Sequence, residues 1–225
     1  MKKIMMMLVM ATVALTASAQ NEVGQLTLQP KIGLNLSTIS EIYVISNPYT
    51  NETDKGNLKA DFALGIEAEY GLSEKFSVAA GVLYSCQGKD FGSVKIYGNS
   101  DGSASWGWDK NQCNLAYLNI PIVANFYFAK GWAIKAGIQP GFLLSAKQKV
   151  DGIGTLKSSD DDIKDGYKSF DLSIPLGLSY EFEKAVFDLR YNLGVTKVNK
   201  EGEKDCKNSV IQFTVGYNNK KMIRL

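Results

Sequence analysis

The segment FDLSIPLGLSYEFEKAVFDLRYNLGV, residues 170–195, alternates large apolar side chains with small or polar ones. The alternation pauses only at Glu183 and Lys184 and then resumes. A period of two places alternate side chains on opposite faces of a strand, and two long strands joined by about two residues form a tight hairpin. The segment therefore predicts a hairpin with one uncharged face and one polar face. The polar face carries Asp171, Glu181, Asp188 and Arg190.

The same alternation recurs along the chain and predicts eight strands. They cover residues 31–37, 58–70, 76–86, 115–128, 132–146, 170–182, 186–195 and 211–218. The connections alternate between long and short, and the short ones lie at 71–75, 129–131 and 183–184. In an up-and-down order this places every long loop at one end, as in outer-membrane barrels with short periplasmic turns and longer extracellular loops. We therefore predict an all-β fold: an eight-stranded antiparallel up-and-down transmembrane β-barrel with four long loops.

The position of the glycines predicts which face of the strands points inward. The strand glycines fall on the polar face: Gly33, Gly65, Gly81, Gly137, Gly141, Gly177, Gly194 and Gly216. A narrow eight-stranded interior must mix tiny and large side chains, whereas a solvated outer face has no steric need for glycine. Aromatic residues also cluster at the short-turn end of the apolar face, which is typical of an interfacial girdle. We predict that the apolar face contacts lipid; the alternative is a soluble lipocalin-like barrel that binds a ligand inside.

The N-terminus has the pattern of a cleavable secretory signal. Lys2 and Lys3 precede a short apolar run, and Ala17-Ser18-Ala19 supplies small residues before Gln20. We predict a signal peptide over residues 1–19 and a single barrel domain over 20–225. Cleavage leaves 25 − 2 = 23 basic residues against 23 acidic ones. A nearly neutral mature chain does not favour a nucleic-acid partner.

The predicted interior contains ten charged residues. They are Lys31, Lys59, Asp61, Glu67, Glu69, Lys135, Asp171, Glu181, Asp188 and Arg190. Buried charges must be paired or hydrated, and eight strands leave an interior just wide enough for side chains. We expect a salt-bridged interior without a wide pore, in which Arg190 pairs with at least one carboxylate. The functional alternative is a narrow ion path or transport channel.

Catalytic and metal chemistry find little support in the sequence. The chain has no histidine, which excludes mechanisms that depend on a catalytic His, and it has no CxxC motif. The acidic run at 160–162 and Asp165 fails the EF-hand spacing, so we predict a solvated, mobile loop there. We expect no enzymatic activity, no cofactor and no bound metal.

The connection over 87–114 carries the remaining candidate residues. Cys86 and Cys113 flank it and could form a disulfide in an oxidising compartment, although free thiols are slightly favoured. Trp106 and Trp108 lie near its end and could contact a protein or glycan partner. The favoured interpretation is that the two tryptophans extend a hairpin above the membrane.

Four short motifs resemble those of a known family. They are GLNLS at 33–37, YLNIP at 117–121, AGIQPG at 136–141 and RYNLG at 190–194. In combination they are similar to the PorT-like "porin family" of outer membrane β-barrel proteins, and the resemblance covers nearly all of the mature chain. It implies an eight-stranded barrel of the OmpX/OmpA type, and it places Pro121 and Pro140 at positions where similar proteins also carry proline. The family name does not establish a pore, and most members lack a defined activity.

Together these observations predict a function that does not involve catalysis. We expect a monomeric, non-enzymatic barrel in outer-membrane lipid. Its loops would serve adhesion, partner binding or envelope maintenance.

Overall fold

A computed structural model describes residues 23–40, 57–97, 104–201 and 205–218, and nearly all of this chain is antiparallel strand. The strands are β1 (Leu26–Ile39), β2 (Lys59–Gly71), β3 (Phe76–Asp90), β4 (Val94–Tyr97), β5 (Ala104–Asn119), β6 (Ile122–Ala129), β7 (Trp132–Gly154), β8 (Ser159–Asp162), β9 (Phe170–Phe182), β10 (Ala185–Gly194) and β11 (Asn208–Tyr217). One short 3-10 helix, Lys164–Gly166, precedes β9. The predicted signal peptide lies outside the described residues.

The sheet closes into a ring, which confirms the predicted fold class. β1 pairs with both β2 and β11, and β2 pairs with β3, so the first and last strands meet. β5 and β6 act as one strand of the ring, because both lie between β3 and β7. The ring therefore has eight members, with β4 and β8 attached outside it. The short turns lie at one end, called here the turn end, and the long connections at the other, the loop end.

Proline explains the break between β5 and β6. Pro121 has no amide hydrogen to donate to a ladder, and the strand is interrupted at residues 120–121. The free backbone groups still find partners: the Ile120 amide donates to the Pro140 carbonyl at 2.8 Å, and the Gly81 amide donates to the Pro121 carbonyl at 3.1 Å. The ladder is therefore interrupted locally at this proline, and the neighbouring strands compensate for it.

The strands extend further at the loop end than the alternation predicts. β3 runs to Asp90, β5 begins at Ala104 and β7 continues to Gly154. The long loop predicted over 87–114 is therefore wrong, since strands occupy most of it. Above the lipid, neither face of a strand needs to be apolar, so the period-two signal disappears while the backbone ladder continues. β4, β5, β7 and β8 form a four-stranded sheet in this region, called here the loop-end sheet.

The mobile acidic loop predicted at 160–162 is also wrong. These aspartates form β8, which pairs with β7 so that Asp160 lies opposite Lys149 and Asp162 lies opposite Lys147. Opposite charges on facing strands favour pairing. The acidic run is therefore an ordered edge of the loop-end sheet.

The large apolar side chains of the ring point outward. Leu34, Leu64, Ile134, Leu176 and Phe213 are among the many that expose more than two fifths of their surface. The soluble lipocalin-like alternative, which needs these side chains inside, is therefore wrong. No helix among the described residues is long and apolar enough to cross a membrane.

Aromatic pairs mark both borders of this apolar belt. At the turn end, Phe76 packs on Phe126 with ring centroids 5.0 Å apart, and Trp132 packs on Tyr180 at 4.7 Å. At the loop end, the pairs are Phe62 with Tyr84 at 6.0 Å and Phe142 with Phe170 at 5.8 Å. The sequence predicted only the first girdle. On β2, Phe62 lies at the loop-end border and Tyr70 at the turn-end border. These two residues are 70 − 62 = 8 positions apart, which corresponds to about 20 Å along the axis of a tilted barrel.

Glycine on the inner face permits close approach of the strands. A Cβ atom added to Gly137 would lie 2.0 Å from the Ile122 carbonyl oxygen, and one added to Gly33 would lie 2.0 Å from that of Phe213. Only glycine fits such a strongly coiled ladder without displacing the neighbouring backbone.

Candidate functional site

Arg190 lies at the centre of the turn-end half of the interior. Its two terminal nitrogens donate to the Glu67 carboxylate at 2.6 and 2.8 Å. Its Nε and Nη2 donate to the Asp188 carboxylate at 2.9 and 2.6 Å. The planar guanidinium thus forms paired hydrogen bonds with two carboxylates, an arrangement that lysine cannot reproduce.

Two lysines complete this group. Lys135 donates to Asp188 at 2.8 Å, and Lys31 contacts both Asp188, at 3.1 Å, and Glu67. All five side chains are almost fully buried. We call Lys31, Glu67, Lys135, Asp188 and Arg190 the charge cluster. Every charge in the cluster has an opposite partner within hydrogen-bonding distance, as a low-dielectric interior requires.

Glu69 forms a polar layer below the charge cluster, towards the turn end. Its carboxylate accepts hydrogen bonds from Gln29 at 2.8 Å, from Tyr127 at 2.6 Å and from Ser77. Asn125 in turn donates to Ser77 at 2.9 Å. This layer extends the hydrogen-bonded filling to the level of the turn-end aromatic girdle.

The remaining predicted charges lie at separate heights. Lys59 pairs with Asp61 near the start of β2. Glu181 accepts a hydrogen bond from Asn218 at 3.1 Å, near the turn end. Asp171 lies near the loop end and contacts only neutral groups, which are described below. The structure thus brings half of the ten residues into one cluster and distributes the others.

An apolar group closes the interior at the loop end, and we call it the apolar plug. Its buried members are Ile39, Phe91, Cys113, Leu115, Tyr117, Leu143, Ala146, Val198 and Cys206. Ile163 and Tyr167 pack against it. The group combines inward side chains of β1, β5 and β7 with residues from the segments before β9 and β11, so the long connections fold back over the barrel.

Sequence reasoning missed the apolar plug for two physical reasons. The β5–β7 ladder shifts register between Ala116 and Tyr117, so Ala146 is buried although the alternation assigns Ser145 to the inner face. Val198 and Cys206 lie in a charged stretch without any periodicity. The only indication of the plug in the sequence was a few small apolar residues, such as Val198, within a polar connection.

Tyr167 links the apolar plug to Cys113. Its hydroxyl lies 3.2 Å from the Cys113 sulfur. Burial, together with this thiol, raises the pKa of Tyr167 above its ordinary value. The phenol therefore stays protonated at neutral pH and can serve as a hydrogen-bonding group inside the plug.

A small polar cavity separates the charge cluster from the apolar plug. It has room for about one water molecule. Nine residues line it: Gln87, Asn119, Gln139, Gly141, Asp171, Ser173, Asn192, Asn208 and Val210. The sequence did not predict this cavity, because its walls come from six different strands.

The disulfide between Cys86 and Cys113 is not formed. Cys86 lies opposite Ala116 and Cys113 lies opposite Lys89 in the β3–β5 ladder. The two cysteines are therefore three ladder positions apart, about 10 Å along the strands, and they point to opposite faces. Both are free thiols, and this geometry excludes a bond between them.

Trp106 and Trp108 lie in the part of β5 that belongs to the loop-end sheet. Trp108 is paired with Val94 of β4 and with Gly152 of β7. It is only 6% exposed, whereas Trp106 is partly exposed, and the two rings meet edge to face at 5.5 Å. Trp108 thus packs within the sheet, and Trp106 is the member of the pair that reaches the surface.

Metal-ligating side chains do not gather in the described part of the chain. No group of three or more His, Cys, Asp or Glu residues there has the arrangement of a metal site.

A closed eight-stranded ring with an outward apolar belt, two aromatic girdles and a filled interior defines a transmembrane β-barrel. The family described as "Outer membrane protein beta-barrel domain" matches residues 18–200. The chain belongs to this family, and its location is the outer membrane. The predicted localisation is therefore confirmed. The structure extends the barrel beyond the matched range, since β11 closes the ring against β1.

Solved structures of other outer-membrane barrels are similar to this chain. Ail of Yersinia pestis, in complex with the heparin analogue sucrose octasulfate, has a TM-score of 0.47 at 14% identity, and the match covers 87% of this chain and 99% of Ail. Neisserial surface protein A has a TM-score of 0.42 at 15% identity, with 85% and 96% covered. OprG of Pseudomonas aeruginosa has a TM-score of 0.40 at 11% identity, with 88% and 99% covered. A search of curated proteins finds no match.

Proposed function

We propose that the protein is a non-enzymatic, closed barrel whose loop-end surface contacts partners or supports the cell envelope. The observation that carries this proposal is the filled interior. The charge cluster occupies one height of the barrel and the apolar plug another. A solute would have to disrupt both to pass.

The two layers resist passage in different ways. In the charge cluster, an ion would have to replace bonds of 2.6–3.1 Å between fully buried partners. In the apolar plug, an ion would lose its hydration and gain few polar partners, which costs several kcal/mol. The buried Lys89 ammonium, which donates to the Ile39 carbonyl at 3.0 Å, would also repel a cation there. Eight strands leave no spare width around either layer. The same packing supports the absence of catalysis, because a substrate cannot reach the interior carboxylates.

The loop-end sheet supplies a firm surface for contact. It carries exposed ion pairs on its strands, Lys95 with Asp109 at 2.8 Å and Lys147 with Asp160 at 3.9 Å. Trp106 adds a partly exposed aromatic ring beside them. Mixed charge with an aromatic ring suits a protein or glycan partner. We further propose that the barrel is a monomer, because its uncharged belt is matched to lipid around the ring.

We also propose that the protein belongs to the PorT-like group within the family. The placement of the four motifs supports this, because each has a structural task. YLNIP and AGIQPG meet at the interrupted strand, where the Ile120 amide donates to Pro140. RYNLG supplies Arg190 of the charge cluster, and GLNLS supplies Gly33 of the inner face.

A narrow channel is the second candidate function. The polar cavity favours it, since a pocket lined by amides and a carboxylate is the kind of site at which an ion could pause. The apolar plug above the cavity argues against a continuous path.

A liposome-swelling assay tests the proposal. Refolded protein should let arabinose enter no faster than protein-free liposomes, while a general porin in the same lipid gives rapid swelling. Heat-modifiable migration on a detergent gel establishes that the tested sample is folded. Swelling that scales with the amount of folded protein would contradict a closed barrel and favour the channel.

A further inference from the structure

Asp171 is a buried carboxylate of the interior and lies near the loop end. Asp171 is 6% exposed. Its oxygens accept hydrogen bonds from the Thr196 hydroxyl at 2.6 Å and the Asn208 amide at 2.8 Å. Within the described chain it forms no ion pair, whereas Glu67 and Asp188 are both held by Arg190. Two neutral donors do not balance a buried negative charge.

The walls of the polar cavity supply no compensating charge either. No lysine or arginine lines it. The buried cations around the cavity are engaged elsewhere: Lys31, Lys135 and Arg190 are bound to carboxylates. Lys89, which lies two residues beyond Gln87 on β3, donates to the Ile39 carbonyl at 3.0 Å. A bound counter-ion would compensate the Asp171 carboxylate directly, which none of these cations does through an ion pair within the described chain.

Two further oxygens in the wall of the cavity lack hydrogen-bond partners. Gln139 and Asn192 each line the cavity and are each 4% exposed. Their side-chain carbonyl oxygens, Oε1 and Oδ1, have no hydrogen-bond donor. Buried acceptors without a donor are costly, and a bound cation would satisfy them. Carboxylate and amide oxygens are ligands for hard cations.

The charge and size of the cavity select the kind of cation. Calcium takes six to eight oxygens, often from several carboxylates, and magnesium keeps much of its water. The cavity offers one carboxylate and the room of about one water molecule. A bare alkali cation of single charge matches both properties.

We propose that the polar cavity binds a monovalent alkali cation of about the size of sodium. Asp171 supplies its charge partner, and Gln139 and Asn192 supply neutral oxygens. The ion completes the charge balance of the interior between the charge cluster and the apolar plug. This site is independent of the proposed loop-end function, since it needs only the closed barrel.

Two substitutions remove the site by different means. Asp171→Asn keeps the shape and deletes the charge. Gly141→Ala keeps the charge and narrows the cavity, because its added Cβ would lie 2.6 Å from the Asn119 side-chain oxygen. Glu181→Gln is the matched control, since it neutralises a buried carboxylate outside the cavity.

The experiment measures thermal unfolding of the folded barrel in detergent at constant ionic strength, with sodium chloride replaced stepwise by choline chloride. The wild-type protein and Glu181→Gln should unfold at higher temperature in sodium than in choline, and the shift should be lost in Asp171→Asn and reduced in Gly141→Ala. Equal midpoints in both salts for the wild-type protein would overturn the proposal. So would a sodium-dependent shift that persists in Asp171→Asn.

A crystal of the wild-type barrel soaked in thallium(I) gives a second readout that does not depend on variant folding. An anomalous peak at the Asp171 carboxylate supports the site. A peak only elsewhere, or a plain water in the cavity, contradicts it.

Discussion

The two halves of the barrel interior are filled by side chains of opposite character, charged in the turn-end half and largely apolar in the loop-end half. In the turn-end half, the charge cluster fills the space with three cations and two carboxylates joined by short contacts. In the loop-end half, the apolar plug fills it with aliphatic, aromatic and thiol side chains. The strands of the first half cross the lipid belt, so their apolar residues face outward and their polar residues inward. At the loop end this constraint is relaxed, and the connections can contribute an ordinary core.

The two halves should also respond differently to mutation. Removing one partner of a buried ion pair costs more free energy than the pair contributes to stability, because the other partner is left buried and unpaired. An apolar core loses transfer free energy and gains a cavity.

Replacing Arg190 should have the largest effect. Arg190→Met leaves Glu67 and Asp188 with only the two lysines as partners, and we expect a loss of about 3–5 kcal/mol in the free energy of unfolding. Urea unfolding in lipid vesicles, followed by tryptophan fluorescence, measures it. Glu67→Gln should cost less in the Met variant than in the wild-type protein, since Glu67 has already lost both of its hydrogen bonds from Arg190 there. A Met variant as stable as the wild-type protein would show that the cluster is not needed to balance charge.

Leu143 and its neighbour Leu144 test the apolar plug against the lipid belt. Leu143 is 5% exposed inside the barrel, whereas Leu144 is 46% exposed outside it. Leu143→Ala should cost about 2–5 kcal/mol, as for other buried leucines. Leu144→Ala serves as the matched control and should cost less, about 1 kcal/mol, because the lipid can fill the space that the missing side chain leaves. Equal losses in the same urea assay would contradict the assignment of the two faces.

The smallest predicted effect is the pH dependence introduced by Tyr167. Burial and the Cys113 thiol raise its pKa in the folded protein, whereas the unfolded chain ionises near pH 10. Its contribution to stability is therefore fully present below about pH 10 and is lost as the pH rises beyond that value. We expect Tyr167→Phe to lose less stability between pH 9 and pH 11 than the wild-type protein.

The measurement is the urea midpoint of both proteins at each pH. Lysine deprotonation affects the two proteins equally and cancels in the comparison. The same alkaline loss in both would show that Tyr167 does not titrate as its burial requires.

The sequence predicts the turn-end half of the interior far better than the loop-end half. Alternation assigns Asp188 and Arg190 to the inward face without any structural information, because a period of two depends only on the pleat. It does not predict that Arg190 contacts Glu67, 123 positions away. Such contacts depend on the stagger of strands around the ring, and alternation carries no information about that stagger.

The packing of the loop-end half could not be predicted from the sequence, for a different reason. Its strands leave the lipid, so β5 and β7 lose their apolar face while they remain paired. The apolar plug then draws on isolated residues such as Val198, which no periodic pattern marks. The polar cavity, with Asp171 in its wall, could not be predicted from the sequence either, because six strands meet there only after the ring has closed.

Single-channel recording in a planar bilayer tests whether the charge cluster and the apolar plug together close the barrel. Folded wild-type protein, checked by heat-modifiable migration, should give no large and steady conductance steps. A general porin recorded in the same bilayer establishes that such steps would be detected. Large, steady single-channel steps from the wild-type protein would contradict the account, because neither the charge cluster nor the apolar plug could then be closed.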